Sequence, residues 1–299
     1  MEIFKIIAFY IAQVVLALII FPLVIKLVRR GGHLRKNFRG ELIPSSAGIG
    51  FVLLFPLGMI AQDMIGNPLG KYFSLVNVPT KYTALYLYFF IPLLTFVFGF
   101  GFIGLIDDFF ALREKGGITG HLRRLTKTGA FSSALFKAFF GIILSFYNFR
   151  YLLLVSGYEL ILKILIVCFA ANAMNLFDVK PGRAVKGFWL FYIILIISGV
   201  KIYSEGIHIF IFVFIWTVIY SWWDFRCKAM MGDVGSNVLG VVLGLMIVVG
   251  LSAFWQIVAL SFLIILHLIA EFYSISEVIE AVTPLRWLDN LGVRKNTNI

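Results

Sequence analysis

The sequence predicts an all-α integral membrane protein: one polytopic bundle of about nine to ten transmembrane helices, with its N-terminus outside. Three observations predict it. Of the 299 residues, 61% are hydrophobic and only 14% are charged, and the mean hydropathy is +0.98. Soluble proteins carry about 25% charged residues. The net charge of +11 falls in short loops, where it sets orientation and meets anionic headgroups, so no nucleic-acid partner is expected.

Nine apolar segments are predicted to cross the membrane. The first is longer than the apolar part of a signal peptide and has no small-residue cleavage site, so we expect it to remain as a helix. The predicted spans are 3–28, 47–63, 84–106, 130–147, 151–171, 184–201, 207–223, 234–251 and 253–275. They form one domain, 1–275, followed by an amphipathic tail, 276–299, which we expect to lie on the cytoplasmic membrane surface.

The distribution of lysine and arginine predicts the orientation. Of the 26 such residues, 18 lie in four loops and the tail on one side of the predicted bundle, and five lie on the other side. Because cytoplasmic loops carry the positive excess, these loops are predicted to be cytoplasmic. They are residues 29–41, 107–129, 172–187 and 224–233. The acidic and glycine-containing stretches fall in or beside the same loops, so we expect a functional site at the cytoplasmic face.

Two adjacent acids, Asp107 and Asp108, end the third apolar segment and precede a basic loop. A simple helix end is the plain interpretation, but the helix dipole disfavours acids at a C-terminal end. Neighbouring carboxylates repel each other unless they share a proton or hold a cation. We therefore favour a functional role. We expect both residues to lie past the end of the helix, so that neither is needed to hold the bundle together.

Further candidates lie in the flanking loops. The stretch IPSSAG is predicted to open the second helix, with Pro44 leaving backbone N–H groups free for an anion, although a plain helix start also explains it. His121 belongs to the basic loop after the acid pair. Lys137, inside the fourth segment, either extends to the membrane interface or points at a phosphate.

The fifth segment ends in three polar residues, Asn172, Asn175 and Asp178, spaced three apart. They share one helical stripe if the helix continues, and such a stripe is costly at the end of a membrane helix unless it binds something. Lys180 and Arg183 follow directly and are available for phosphates.

Asp233 lies between two glycines just before the eighth apolar segment. A helix-capping role explains it when it is taken alone. Asp107, Asp108 and Asp178 are predicted on the same side, and Mg²⁺ prefers one or two carboxylates together with substrate phosphates. A shared magnesium site is therefore the better interpretation.

In order and topology, these stretches resemble the polyprenyl-phosphate N-acetylhexosamine-1-phosphate transferases, a family that includes the bacterial phospho-N-acetylmuramoyl-pentapeptide transferase. The resemblance covers roughly residues 40 to 240. It rests on IPSSAG, GLIDD, NAMNLFD and MGDVGSN.

The resemblance implies a role for each candidate residue. Asp107 and Asp108 would be the catalytic acids, together with Lys137 of the fourth helix. Asp233, with Asp108, would bind Mg²⁺, or Mn²⁺ in its place. The substrate-binding candidates are Pro44, His121, Asn172, Asn175, Asp178, Lys180 and Arg183.

The implied reaction transfers a sugar 1-phosphate of the N-acetylhexosamine type from a UDP-sugar to a polyprenyl phosphate, releasing UMP. It would take place in the inner membrane of a bacterium, with the active site facing the cytoplasm. A one-step attack and a covalent aspartyl-phosphate route are both open. The sugar, the nucleotide and a homodimeric state also stay open.

Three departures from the family pattern keep alternatives open. NAMNLFD continues as VKPGRA without a second acid, Ala47 stands where a glycine is usual, and the late histidine-rich motif is missing. One alternative is a relative that binds lipid phosphate or regulates a true transferase without catalysing. Another is a transporter, which would need acids near the bilayer midplane. The candidate deep pair, His267 and Glu271, is expected to make only a local hydrogen bond.

Overall fold

The computed structural model describes residues 2–61, Ile65, 90–110, 132–198 and 204–293. Within these ranges the chain is built of helices, with one short hairpin. The main helices are α1 Glu2–Arg30, α2 Ile49–Ala61, α3 Ile91–Phe110, α4 Ser133–Tyr147, α5 Gly157–Phe177, α6 Arg183–Ile197, α7 Ser204–Asp224, α8 Gly232–Gly250 and α9 Ala253–Phe272. Two short helices follow, α10 Ile275–Ala281 and α11 Thr283–Asn290. Strands β1 Leu34–Lys36 and β2 Leu42–Pro44 pair antiparallel between α1 and α2.

The all-α prediction is confirmed, and each predicted apolar segment overlaps one of the helices α1 to α9. Within the described ranges, helices long and apolar enough to cross a membrane are Phe4–Arg30, Ile91–Phe110, Gly157–Phe177, Gly232–Gly250 and Ala253–Phe272. Helix α2 and the segment Phe210–Asp224 are apolar but shorter. The crossing number of nine to ten and the outside N-terminus stay predictions.

Two predicted boundaries are wrong. The third helix does not end before the acid pair, because α3 continues to Phe110 and contains Asp107 and Asp108 in its last turn. The fifth segment was predicted to start at 151, but a π-helical turn, Asn148–Leu152, ends there and Leu154 has a φ of 54°. Left-handed backbone at a leucine breaks a helix, so α5 begins only at Gly157.

Helix α8 is the centre of the bundle, and most of its residues are buried. Its neighbours α3 and α5 come close to it at glycines. A Cβ atom at Gly104 of α3 would lie 2.3 Å from the backbone oxygen of Asp233, and one at Gly240 of α8 would lie 2.4 Å from the backbone oxygen of Ala170. Small residues at such crossings let helix backbones approach each other. The close crossing of α3 and α8 brings Asp107 and Asp108 next to the start of α8.

The stretch IPSSAG leads directly into α2, which begins at Ile49, two residues later than predicted. Its first residues belong to β2, Ser46 then has a φ of 62°, and Ala47 and Gly48 form a turn beside the segment before α8. Pro44 accepts a hydrogen bond from the N–H of Met230 (2.8 Å), while the N–H groups of Ala47 and Gly48 donate to the carbonyls of Met230 and Met231 (3.0 and 2.9 Å). These N–H groups, which the sequence interpretation left free for an anion, are therefore occupied by backbone pairing.

Candidate active site

Acidic side chains from three separate elements meet at one end of the bundle. Asp107 and Asp108 lie in the last turn of α3, Asp178 directly follows α5, and Asp233 lies in the first turn of α8. Lys137, one turn into α4, joins them from a fourth element. The sequence interpretation grouped the four acids correctly, because each stands at the start or the end of an apolar run on the same side of the predicted bundle.

Lys137 bridges two of the acids. Its Nζ atom lies 2.5 Å from Oδ2 of Asp107 and 2.5 Å from Oδ2 of Asp233. The side chain is only 20% exposed, so it does not extend to the membrane interface. The lysine is directed at the acid cluster, and a contact with a phosphate stays a prediction.

Asp108 is enclosed by hydrogen-bond donors, and its side chain is 0% exposed. Its carboxylate accepts hydrogen bonds from Ser46 Oγ (2.7 Å) and from the backbone N–H groups of Asp233 (3.1 Å) and Val234 (3.4 Å). Arg35 lies 3.8 Å from Oδ1 and also donates to the Asp108 carbonyl. A carboxylate at free N–H groups is favourable at a helix N-terminus. Asp108 therefore caps α8 from a neighbouring helix and fixes the position of Asp233.

A glycine makes this capping contact geometrically accessible. Gly232 opens α8 with a φ of +72°, and a Cβ atom there would lie only 2.4 Å from Oδ2 of Asp108. Both the left-handed backbone and the missing side chain are needed at this position.

A second hydrogen-bonding layer supports Asp108 and was not found from the sequence. His33 Nε2 lies 3.1 Å from Ser46 Oγ, and its ring stacks on Phe109 with the ring centroids 4.1 Å apart. Burial lowers the pKa of His33, and the nearby Arg35 lowers it further, against the attraction of Asp108. The IPSSAG stretch pointed to the right loop, but nothing in the sequence distinguished Arg35 from the other basic residues around it.

The two asparagines of the predicted stripe have different surroundings. Helix α5 continues past the predicted end at 171 and contains both asparagines, whereas Asp178 lies just after its last residue. Asn175 accepts a hydrogen bond from Ser236 Oγ of α8, and its Nδ2 atom is buried without a hydrogen-bond partner among the described residues. Asn172 is exposed. Only Asn175 therefore contacts the helix that carries Asp233.

Asp178 is half-buried at the end of α5 and receives a hydrogen bond from the backbone N–H of Gly232. Loss of hydration, followed by the negative charges of Asp224 and Asp233, raises its pKa well above the usual range. Asp224, at the end of α7, accepts the N–H of Gly182 at 2.9 Å. It was not singled out in the sequence, because a lone acid after an apolar run gave no further signal.

The other candidates lie elsewhere. Lys180 pairs with Glu280, and Arg183 with Asp289, so both basic side chains contact the C-terminal helices. Pro44 is part of the backbone pairing beside α8. His121 lies outside the described residues.

The acidic cluster offers few ligands for a bound Mg²⁺. Within the described ranges, no three Asp, Glu, His or Cys side chains are grouped so that they could hold a metal ion. Mg²⁺, however, needs only one or two carboxylates when substrate phosphates and water complete its shell. Asp107 Oδ1 is buried and has no hydrogen-bond partner in the described part of the chain. The ammonium of Lys137 stands between Asp107 and Asp233, which shows that this pair attracts positive charge. Asp107 and Asp233 therefore carry the carboxylates that a magnesium ion shared with a phosphorylated substrate would need, whereas Asp108, named as a metal ligand from the sequence, is occupied by hydrogen bonds to Ser46 and α8.

The fold and the site together define a membrane protein with a lysine-bridged acidic cluster at one end of its helical bundle. Residues 90–251, just over half of the chain, match the family model of glycosyl transferase family 4, and the chain belongs to this family. The match runs from the start of α3 to the end of α8, and so it includes the whole acidic cluster. The resemblance read from the sequence motifs is confirmed.

One curated relative is phospho-N-acetylmuramoyl-pentapeptide-transferase from Hydrogenobaculum sp. It is 30% identical over 185 residues, which cover 54% of this chain and 52% of the relative. The chain thus spans about half the length of the curated relative that it matches.

Proposed function

We propose that this protein transfers a sugar 1-phosphate, of the N-acetylhexosamine type, from a UDP-sugar to a polyprenyl phosphate in a bacterial inner membrane. The products would be a polyprenyl-diphosphate-sugar and UMP. The observation that carries the proposal is the bridge from Lys137 to Asp107 and Asp233, each at 2.5 Å, within the region that matches the family. Acidic and basic side chains at the end of an apolar bundle suit a substrate that has a phosphate group at the end of a lipid chain.

An apolar cavity supports a lipid acceptor. It has a volume of about 610 Å³ and lies between α5, α6, α8 and α9. Its lining includes Phe191, Leu195 and Leu263, and it also includes Met174, the residue before Asn175. A prenyl chain could therefore be held among the helices with its phosphate directed to the helix ends.

Asp107 is proposed as the general base. Its carboxylate would accept the proton of the lipid monophosphate, whose oxygen then forms a bond to the sugar-linked phosphorus of the donor. The bond from that phosphorus to the bridging oxygen breaks, and the electron pair leaves with UMP. Positioned bases of this kind contribute about 10²- to 10⁴-fold to rate.

Lys137 and Asp108 would assist without taking the proton. The ammonium of Lys137 would move from carboxylate to phosphate oxygens and stabilise charge that develops in the transition state. Asp108, which caps α8, would hold Asp233 in place. When Mg²⁺ is bound, Asp233 and Asp107 would hold it, and it would neutralise charge on the donor diphosphate.

The direct test is UMP release by the purified protein in nanodiscs that contain undecaprenyl phosphate, with a panel of UDP-sugars. We expect release with at least one sugar, dependent on the lipid phosphate, and a polyprenyl-diphosphate-sugar in the mass spectrum. Lys137→Met should lower the rate about a hundredfold or more. Lys163→Met is the matched control, since Lys163 pairs with Glu159 one turn away in α5. If wild type binds the lipid phosphate yet releases no UMP with any UDP-sugar, the protein is a non-catalytic relative.

A further inference from the structure

The C-terminal helices α10 and α11 are fastened to the start of α6 by a buried ion pair. Arg183, the first residue of α6, donates from Nε and Nη2 to the two carboxylate oxygens of Asp289, each at 2.8 Å. The two side chains are only 4% and 10% exposed. Arg183 also donates to Ser276 Oγ at 2.7 Å. A bidentate pair of this kind fixes orientation as well as distance, so α11 is held with one side toward the bundle.

Lys186, one turn further along α6, completes the attachment. Its ammonium donates to the carbonyl oxygens of Leu288 (3.0 Å), Asp289 and Leu291 (3.3 Å). These carbonyl groups belong to the last turn of α11 and to Leu291 just after it, where a cation is favourable for the helix dipole. Two cations of α6 therefore hold α11: Arg183 binds the Asp289 carboxylate, and Lys186 binds the carbonyl groups at the C-terminal end of the helix.

The apolar face of α11 that is uncovered in the described structure is formed by Trp287 and Leu288, which point away from Asp289, with Leu285 at its edge one turn before Asp289 and Leu291 just after the helix. Leu285, Trp287, Leu288 and Leu291 are 40%, 65%, 37% and 51% exposed. None of the residues of α11, all of which the structure describes, is buried. Exposing such a face to water costs about 25 cal/mol per Å² of apolar surface, so this face needs an apolar partner.

The position of α11 identifies that partner. Its contact with Arg183 places it at the level where α6 begins, which is also where α5 has just ended at Phe177. Helix α9, long and apolar enough to cross a membrane, ends shortly before α10 with Phe272 77% exposed and Tyr273 64% exposed. The uncovered face of α11 thus lies next to the exposed end of α9. Aromatic side chains such as those of Phe272 and Tyr273 are favoured at the membrane interface.

We infer that α11 is an interfacial anchor. It lies in the headgroup region of the membrane with Leu285, Trp287 and Leu288 at the acyl boundary, and the pair Arg183–Asp289 fixes its rotation about its own axis. Short amphipathic helices bind membrane surfaces in this way, and an eight-residue helix is too short to form without such support. The inference does not depend on the reaction that the protein catalyses.

The test uses the full chain in lipid nanodiscs, with Cys168 and Cys227 replaced by alanine and one nitroxide label placed at position 288 or, as the control, at the exposed position 290. Collisions with oxygen report on lipid, and collisions with a water-soluble nickel chelate report on water. We expect the oxygen-to-nickel ratio to be several-fold higher at 288 than at 290. Equal access of nickel to both positions would overturn the inference. So would shielding of 288 from both reagents, because another protein surface or a second copy would then cover this face.

A charge exchange tests the role of the ion pair. Arg183→Glu should release α11, raise the mobility of a label at 288 and remove its preference for oxygen. Adding Asp289→Arg should restore both properties, since the pair is remade with its charges exchanged. The control is Arg286→Glu, which changes an exposed cation of the same helix and should change neither. If the label at 288 keeps its depth in Arg183→Glu, or if the exchange restores nothing, the ion pair does not orient the helix. If Arg183→Glu does not fold, Asp289→Asn provides the same comparison with a smaller change.

Discussion

Asp107 and Asp108 are neighbours in the sequence, but their carboxylates have different surroundings. Asp107 contacts Lys137 and keeps one buried oxygen without a partner in the described structure. Asp108 is surrounded by Ser46, Arg35 and two N–H groups of α8. The first arrangement suits a group that exchanges partners during a reaction. The second suits a group that holds other groups in place.

This difference predicts different effects of the two amide substitutions. Asp107→Asn removes one of the two carboxylate partners of Lys137, which keeps Asp233 as the other, so it should change the melting temperature little while lowering UMP release by about 10²- to 10⁴-fold. Asp108→Asn places amide hydrogens against the N–H groups of α8, and an unsatisfied buried donor costs about 1–3 kcal/mol. It should therefore lower the melting temperature as well as the rate. Thermal unfolding in detergent, measured beside the UMP assay, checks both.

Equal stability of the two variants would show that Asp108 does not cap α8. From the sequence we expected that neither acid holds the bundle together. Because Asp108 caps α8, we now expect only Asp107 to be dispensable for stability. The reason lies in α3, which continues past the acid pair and carries Asp108 into the interior of the bundle.

At the scale of elements, the start of α8 organises the site. It meets α3 through Asp108, the end of α5 through Asp178 and the segment before α2 through backbone hydrogen bonds. Gly232 lies at the point where these contacts converge, with a backbone conformation that L side chains rarely adopt.

Gly232→Ala should therefore disturb the site from the backbone. The left-handed conformation alone costs about 1–2 kcal/mol for a residue with a Cβ atom, and the new methyl group would also displace the Asp108 carboxylate. We expect a lower melting temperature together with a large loss of UMP release. The matched control is Gly187→Ala in α6, where the nearest atoms are 3.7 Å away. Wild-type stability and activity of Gly232→Ala would show that the cap on α8 is not needed.

The positions of the helices could be predicted from the sequence better than the side-chain contacts between them. Long apolar runs with acids or glycines at their ends located the helices and the acidic cluster, because those signals are local. The capping of α8 by Asp108 could not be predicted, since it depends on the crossing of α3 and α8 at Gly104. The partner of Arg183 is also remote, at Asp289, and a basic residue after NAMNLFD reads equally well as a phosphate ligand.

At the scale of the whole molecule, the bundle brings together side chains that lie far apart in the chain. Lys137 meets Asp233 across 96 positions and Ser46 meets Asp108 across 62. The packing of α8 against α3 and α5 enforces these contacts, so the site exists only when the bundle is assembled. The orientation of this site toward the cytoplasm remains a prediction from the distribution of basic residues.

We propose that this assembled cluster is a magnesium-dependent centre for sugar-phosphate transfer, and substitution of Asp233 tests that proposal. The measurement is a magnesium titration of UMP release in nanodiscs for wild type and Asp233→Asn, with circular dichroism to show that both are folded. An amide is a poorer magnesium ligand and carries no charge, so we expect the variant to lose activity by about a thousandfold or more and to respond weakly to magnesium. Wild-type turnover of Asp233→Asn with an unchanged magnesium requirement would contradict the account.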